Sequence, residues 1–221
     1  MSMDKGLRPQ DVCQVLLYVP NIIGYLRLVL LGLAALCRGG SWCFFLLYAS
    51  SQILDSVDGF AARSLKQASV FGACLDQLTD RLSTCLLYIL NAVAYPNYAW
   101  VFFCVLLADV GGHWVHFFAA TAAGAASHKQ VDAAPAILKL YYTSKALMVS
   151  SIFFYEGLFL SLLAAGASTP DSFARNAAIV CAATCVPLAA FKTLTNILQG
   201  FYGALRLASL PMPSVARKAE D

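Results

Sequence analysis

Hydrophobic residues along this chain fall into six long stretches, separated by short segments that carry most of the polar and charged residues. Each stretch is long enough to cross a bilayer, which takes about 20 apolar residues in a helix. The six stretches are Val19–Cys37, Trp42–Phe60, Phe71–Ala94, Trp100–Ala120, Ile137–Leu163 and Ala177–Leu198. The pattern predicts an all-α integral membrane protein with six transmembrane helices in a single domain, residues 1–221.

The two ends of the chain differ from the apolar stretches. Residues 1–12 precede the first stretch, and the segment Lys5–Val12 within them is predicted to lie on the membrane surface as a short amphipathic helix. Residues 209–221 contain two prolines and charges of both signs, which predicts a flexible tail.

Composition supports a membrane protein. Hydrophobic residues make up 60% of the chain and charged residues 12%, whereas soluble domains carry about 25% charged residues. The net charge of +3 is too small to indicate a nucleic-acid partner. The eight cysteines mostly lie inside the apolar stretches and show no metal-binding spacing, so they are predicted to be free, packed thiols.

Lysine and arginine are distributed unevenly between the two ends of the predicted helices. Arg38 and Arg175 fall on one side of the membrane. The opposite side carries Lys5, Arg8, Arg63, Lys66, Lys129, Lys139, Arg206, Arg217 and Lys218. The positive-inside rule then places both termini and the loop Ser64–Ser69 in the cytosol.

Four aspartates flank this loop within apolar surroundings, where a carboxylate is costly and indicates a functional site. Asp55 and Asp58 lie three residues apart, and Gly72, Asp76 and Asp80 lie four apart, so the residues of each segment share one helix face. If the two segments form antiparallel neighbouring helices, all four carboxylates can come together. Converging anions need a cation between them, and oxygen-only ligands favour Mg²⁺ or Mn²⁺. The two segments read Asp55-x-x-Asp58-Gly59-x-x-Ala62-Arg63 and Gly72-x-x-x-Asp76-x-x-x-Asp80.

This motif resembles the signature of the CDP-alcohol phosphotransferases, and every position of that pattern is present at the expected spacing. The resemblance implies a metal-dependent phosphotransferase with two Mg²⁺ or Mn²⁺ ions. By the resemblance, Asp55, Asp58 and Asp76 hold metal. Asp80 contacts the second ion and acts as general base on the incoming hydroxyl.

The resemblance also implies residues that bind the CDP-activated lipid. Among them, Gly59 lets the backbone approach a nucleotide, and the planar fork of Arg63 suits a phosphate oxygen. Gly72 is expected to keep the helices close. The full set implied for the CDP moiety is Asn21, Gly24, Gly59, Ala62, Arg63 and Ser69.

Longer blocks resemble the phosphatidylinositol synthases, a eukaryotic branch of this family. The blocks are Val19–Arg27, Phe71–Arg81, Asp109 with His113 and His116, and Tyr141–Lys145. This likeness implies CDP-diacylglycerol and myo-inositol as substrates, with release of CMP. It further implies a homodimer in the membrane of the endoplasmic reticulum or Golgi, with the active site facing the cytosol. Lys145 departs from the arginine expected in animal members, so charge is retained without the bidentate fork.

Three residues are candidates for the acceptor pocket: Asp109, His113 and Lys145. For Asp109 and His113 the alternative is a contact that fixes helix packing. Lys145 is expected about two turns into the fifth helix, where its positive charge either balances the carboxylate cluster or contacts substrate. Arg27 is expected to pair with one of the aspartates.

Two other functions fit parts of the pattern. The same chemistry on glycerol 3-phosphate would call for a dense cluster of arginine and lysine in the pocket, whereas the helices on the cytosolic side offer mainly Lys139 and Lys145. A divalent-cation transporter would need ligands along a path through the membrane. The four aspartates instead crowd one side, and Glu156 is the main charge in the lumenal half.

Overall fold

The computed structural model describes residues 9–123 and 135–210, and every regular element in these ranges is helical. The helices are α1 (Pro9–Leu16), α2 (Val19–Leu36), α3 (Trp42–Ser64), α4 (Val70–Ala94), α5 (Ala99–Leu106), α6 (Gly112–Ala122), α7 (Ala136–Thr143), α8 (Lys145–Ala167) and α9 (Phe173–Ser209). A 3₁₀ turn, Pro96–Tyr98, precedes α5, and a π-helical segment, Leu107–Gly111, joins α5 to α6. The predicted all-α class is confirmed for the described residues.

Serine side chains start the two helices that carry the aspartates. Ser41 caps α3 by accepting a hydrogen bond from the backbone N–H of Phe44. Ser69 caps α4 by accepting from the N–H of Gly72 at 2.9 Å. Such caps satisfy N–H groups that lack a partner within the helix. Each cap therefore fixes where its helix begins after a short turn.

Four helical segments are long and apolar enough to cross a membrane: Val19–Leu36, Pro96–Ala122, Lys145–Ala167 and Phe173–Ser209. The chain is accordingly a multi-pass membrane protein. Helices α3 and α4 have 23 and 25 residues, but their aspartates and other polar side chains make them less apolar than the four. Their membrane crossing stays a prediction.

The fifth apolar stretch differs from the prediction. Ser144 has an extended backbone, with ψ of 93°, and separates α7 from α8. Lys145 is therefore the first residue of α8 and is exposed, so its predicted position two turns into a continuous helix is wrong. The helix at the sixth stretch is longer than predicted: α9 spans 37 residues. It continues through Pro187.

The first of two compact units comprises the chain up to Phe103 together with Glu156–Val186. In this unit α2 packs on α3 and α4. The side chain of Asn91 on α4 donates to the backbone oxygen of Phe159 on α8 at 3.1 Å, and Tyr48 on α3 donates to Glu156 at 3.2 Å. These bonds satisfy buried polar groups within an apolar setting.

The second unit comprises Cys104–Tyr155 and the chain from Pro187 onward. Here the backbones of α6 and α9 approach closely at Gly112 and Gly200, where a side chain on either glycine would meet the facing backbone. Small residues permit such close helix contacts in membranes. The single domain predicted for residues 1–221 stays a prediction.

Some predictions fall wholly or partly outside the described residues. Helix α1 begins at Pro9 and extends to Leu16, beyond the predicted end at Val12. Residues 1–8 and 124–134 lie outside, and with them Lys5, Arg8 and Lys129. The predicted tail from residue 211 onward also lies outside, whereas Ser209 still belongs to α9. The eight cysteines are free thiols as predicted, although several are exposed, and the sulfurs of Cys37 and Cys43 meet at 2.6 Å.

Candidate functional site

The four aspartates lie on two neighbouring helices that a tight turn connects. Asp55 and Asp58 are on α3, while Asp76 and Asp80 are on α4. The turn between them is short because α3 ends at Ser64 and α4 begins at Val70. The sequence prediction that the carboxylates converge is confirmed by their shared contact with one side chain.

That side chain is Arg27 on α2, which is completely buried. Its guanidinium forms ion pairs with all four carboxylates, whereas the sequence led us to expect one partner. The four nitrogen–oxygen distances are 2.7 Å to Asp55, 2.9 Å to Asp58, 3.1 Å to Asp76 and 2.8 Å to Asp80. The cation expected among the carboxylates is therefore supplied, at least in part, by the chain itself.

The carboxylates differ in their accessibility. The Asp58 side chain is 10% exposed, while those of Asp55, Asp76 and Asp80 are 39%, 52% and 35% exposed. The cluster thus has a buried side at Asp58 and an open side at the other three. A ligand approaching the site would meet the open side first.

The arrangement fits a divalent cation. One oxygen each from Asp55, Asp76 and Asp80 lie within 4.8 Å of one another. Four carboxylates against one guanidinium leave a surplus of three negative charges. All of these ligand atoms are oxygens, which Mg²⁺ and Mn²⁺ prefer.

A cavity of about 160 Å³ adjoins the cluster. Asp58 and Asp76 form part of its wall, and the rest comes from the first turns of α2, the last turns of α3, the α3–α4 turn and the first turns of α4. The lining residues are Pro20, Asn21, Gly24, Asp58, Gly59, Ala62, Gln67, Ala68, Ser69, Gly72, Ala73, Leu75 and Asp76. The cavity therefore lies at the ends of three helices, next to the acidic groups.

Five of the six residues predicted for the CDP moiety line this cavity: Asn21, Gly24, Gly59, Ala62 and Ser69. The sixth, Arg63, is exposed and does not line it, although its guanidinium lies close to Gly59. The structure thus brings together residues from three helices that the sequence separates by up to 48 positions.

Sequence reasoning missed Gln67, which lies in the α3–α4 turn. Its side-chain oxygen accepts a hydrogen bond from the backbone N–H of Val19 at 2.9 Å. This bond joins the turn to the start of α2 across the cavity wall. A glutamine in a polar loop gives no sequence signal for such a role.

Gly72 permits the close approach of α2 and α4 beside the cavity. A Cβ at this position would lie 2.8 Å from Oδ1 of Asn21 and 3.1 Å from the Ser69 hydroxyl. Asn21 is itself fixed, since its amide nitrogen donates to the backbone oxygen of Val15 at 2.6 Å. The prediction that Gly72 keeps the helices close is confirmed.

Two of the three predicted acceptor residues belong to a buried polar network in the second unit. Asp109 accepts a hydrogen bond from the Asn196 amide at 3.0 Å, and His113 lies 3.4 Å from the same carboxylate oxygen. Lys192 in turn donates to Asn196. Asp109 belongs to the π-helical segment, a feature often found at functional sites. The network supports the packing role for Asp109, and the exposed Lys145 has no described contact with it.

The comparison with known families identifies the class of protein. Residues 17–164 match the CDP-alcohol phosphatidyltransferase family. This range includes α2, α3 and α4, and with them Arg27, all four aspartates and the cavity. The chain belongs to the CDP-alcohol phosphatidyltransferase family.

Relatives extend the comparison over most of the chain. A CDP-diacylglycerol–inositol 3-phosphatidyltransferase of Saccharomyces cerevisiae is 35% identical over 214 residues, covering 93% of this chain and 94% of the relative. The protein of the same name from Homo sapiens is 33% identical over 213 residues, with coverage of 92% and 97%. CDP-diacylglycerol–inositol 3-phosphatidyltransferase 1 of Arabidopsis thaliana is 39% identical over 166 residues, with coverage of 74% and 72%. No solved structure matched.

Proposed function

We propose that this protein is an enzyme that transfers the phosphatidyl group of CDP-diacylglycerol to myo-inositol and releases CMP. The observation that carries the proposal is the convergence of four aspartates beside a cavity lined by five of the residues that the family resemblance implies for the CDP moiety. The acceptor is inferred from the relatives, whose names specify inositol.

The proposed substrate-binding roles of the chain's own residues follow from their positions. The cavity would receive the cytidine diphosphate, with its phosphates toward Asp58 and Asp76 in the wall. The exposed Arg63, beside Gly59, would donate to a phosphate oxygen. The lipid tails would stay in the bilayer, alongside α2, where Leu26, Val29 and Leu33 are exposed.

Asp80 is proposed as the general base. Arg27 contacts its Oδ1 at 2.8 Å, so its second oxygen can accept the proton of the attacking inositol hydroxyl. The carboxylate is 35% exposed, which leaves room for an alcohol to approach. Hydrogen-bond reach to the reacting hydroxyl is the geometric requirement for a base.

Asp55, Asp58, Asp76 and Asp80 would hold two Mg²⁺ or Mn²⁺ ions. Bound divalent ions neutralise charge on a transferring phosphoryl group and support in-line displacement. The surplus of three negative charges around Arg27 supports this ligand set, because it needs further cations for balance.

The proposed topology has six membrane crossings and both termini in the cytosol. At 1.5 Å per residue, α3 and α4 are roughly 35 and 38 Å long, enough for a hydrocarbon core of about 30 Å. The cavity then opens toward the cytosol, next to the α3–α4 turn, and inositol enters from that side. We further propose a homodimer in the membrane of the endoplasmic reticulum or Golgi.

His113 and Lys145 remain proposed for the acceptor pocket, whereas the buried contacts of Asp109 favour a supporting role. An uncharged polyol as acceptor agrees with the few cations that the cytosol-side helices offer, mainly Lys139 and Lys145. Glycerol 3-phosphate would need more of them.

The experiment that tests the proposal offers purified protein CDP-diacylglycerol with one alcohol at a time and follows CMP release. We expect release with myo-inositol and little with glycerol 3-phosphate. Preference for glycerol 3-phosphate would overturn the acceptor assignment. Uptake of radiolabelled Mn²⁺ into sealed vesicles, without CMP release under any condition, would favour a cation transporter instead.

A further inference from the structure

The contacts of Arg27 follow a regular scheme across the two aspartate-bearing helices. Its Nη1 contacts Asp58 of α3 and Asp76 of α4. Its Nη2 contacts Asp55 of α3 and Asp80 of α4. Each arm of the guanidinium therefore bridges the two helices once.

The guanidinium contacts each carboxylate through a single oxygen: Oδ1 of Asp55, Asp76 and Asp80, and Oδ2 of Asp58. A carboxylate has two oxygens. The second oxygens of Asp55, Asp58 and Asp76 can therefore meet a cation while the first stay on Arg27. Groups that hydrogen-bond metal ligands in this way orient them and contribute to metal affinity.

Burial and one backbone contact restrict the position of Arg27. Its side chain is fully buried, and its backbone oxygen accepts a hydrogen bond from the buried Ser51 hydroxyl at 3.3 Å. Because α2 places the guanidinium between α3 and α4, the four carboxylates meet at one buried cation. Without it, three partly exposed carboxylates would repel one another and turn outward.

We propose that Arg27 is a positioning residue that pre-organises the four aspartates for divalent cations, rather than a packing residue alone. The inference rests on the proposed function, since it concerns the same site. It specifies a requirement for the planar fork of arginine, because two separate nitrogens must reach both helices. A lysine ammonium has three donors but only one nitrogen, so it cannot occupy both nitrogen positions.

The test measures Mn²⁺ affinity by electron paramagnetic resonance of the unbound ion, on full-length protein purified in detergent without substrates. Arg27→Gln removes the charge, Arg27→Lys keeps it without the fork, and Arg38→Gln is the matched control. Arg38 is exposed just beyond the far end of α2, so its replacement makes the same change in net charge away from the site. Thermal unfolding of each variant is recorded in parallel.

We expect Arg27→Gln to lose about 10- to 100-fold in Mn²⁺ affinity, as for other residues that orient metal ligands. Arg27→Lys should lose Mn²⁺ affinity by a smaller factor than Arg27→Gln, and the Mn²⁺ affinity of Arg38→Gln should equal that of the wild type. A lower unfolding temperature with unchanged affinity would show a packing role and overturn the proposal. Tighter binding by Arg27→Gln would also overturn it, because Arg27 would then compete with the ion.

Two further outcomes keep the test decisive. If Arg27→Gln does not fold, Arg27→Lys decides, since wild-type affinity in that variant would remove the need for a fork. If wild-type protein binds Mn²⁺ in an Arg27-dependent manner but forms no phosphatidylinositol, the proposed reaction fails while the role of Arg27 stands.

Discussion

Arg27 on α2 donates to the carboxylate of Asp58 on α3 at 2.9 Å, and the two side chains are only 0% and 10% exposed. This is the most buried of the four ion pairs that meet at Arg27. It joins α2 to α3 beside the cavity, whose wall includes Asp58. Asp58 is therefore expected to contribute both to the stability of the fold and to catalysis.

The first prediction compares Asp58→Ala with Asp76→Ala. Both should lose about 100-fold or more in turnover, because metal-assisted charge stabilisation lowers the barrier by several kcal/mol. Asp58→Ala should also lower the unfolding temperature more than Asp76→Ala, since Asp76 is 52% exposed and Asp58 only 10%. Activity assays and thermal unfolding in detergent check this. Near-normal turnover in either variant would remove the cluster from the catalytic centre.

The second prediction concerns divalent metal. We expect activity to vanish in excess EDTA and to return with added Mg²⁺ or Mn²⁺, because the proposed ligands are all carboxylate oxygens. Zn²⁺ lacks its usual nitrogen and sulfur ligands here and should restore less. Full turnover in EDTA would end the metal assignment.

The third prediction separates the base from metal binding. Asp80→Asn keeps the shape of the side chain but cannot accept the hydroxyl proton, so turnover should fall by roughly 10²- to 10⁴-fold. Binding of CDP-diacylglycerol should weaken far less, because Asp55, Asp58 and Asp76 remain. Equilibrium binding and turnover are measured on the same preparation. A comparable loss of lipid affinity would make Asp80 chiefly a metal ligand.

The fourth prediction uses two glycines of the same unit. Gly72→Ala would place a Cβ 2.8 Å from Oδ1 of Asn21, whereas a Cβ at Gly32 meets no neighbour within 4 Å. Gly72→Ala should therefore displace Asn21 and raise the KM for CDP-diacylglycerol, while Gly32→Ala leaves it unchanged. Steady-state kinetics measure the KM for CDP-diacylglycerol in both variants. Equal KM values in both variants would show that the cavity wall does not contact the nucleotide.

Some features could be predicted from the sequence because they depend on local pattern. The starts of α2 at Val19 and of α3 at Trp42 agree with the apolar stretches, since Pro20 suits the first turn of α2 and Ser41 caps α3. The convergence of the aspartates follows from their helical spacing and the short turn between α3 and α4. Five cavity residues are among those that the family resemblance implies for the CDP moiety.

Other features depend on contacts that a linear pattern does not encode. The break at Ser144 falls within a stretch that the apolar pattern predicts as one helix, and it involves neither proline nor glycine. Arg27 contacts four aspartates because α2 packs against α3 and α4, and this packing is not visible in the linear pattern. The contact of Gln67 with the start of α2 spans 48 positions and leaves no periodic signal.

The fifth prediction tests membrane orientation. Lys66 lies in the exposed α3–α4 turn, and Asn97 is exposed in the 3₁₀ turn that follows α4. In a background without other reactive thiols, Lys66→Cys should be labelled from the cytosolic side and Asn97→Cys from the lumenal side. Labelling of Lys66→Cys only from the lumen would reverse the topology and the proposed entry route of inositol.

The most direct test of the proposed reaction follows isotopically labelled myo-inositol into lipid with purified protein, CDP-diacylglycerol and Mg²⁺ or Mn²⁺. We predict labelled phosphatidylinositol and CMP in equal amounts, with both lost together in Asp76→Ala. Release of CMP without label in the lipid would contradict the account, and so would labelled lipid formed at the wild-type rate by Asp76→Ala.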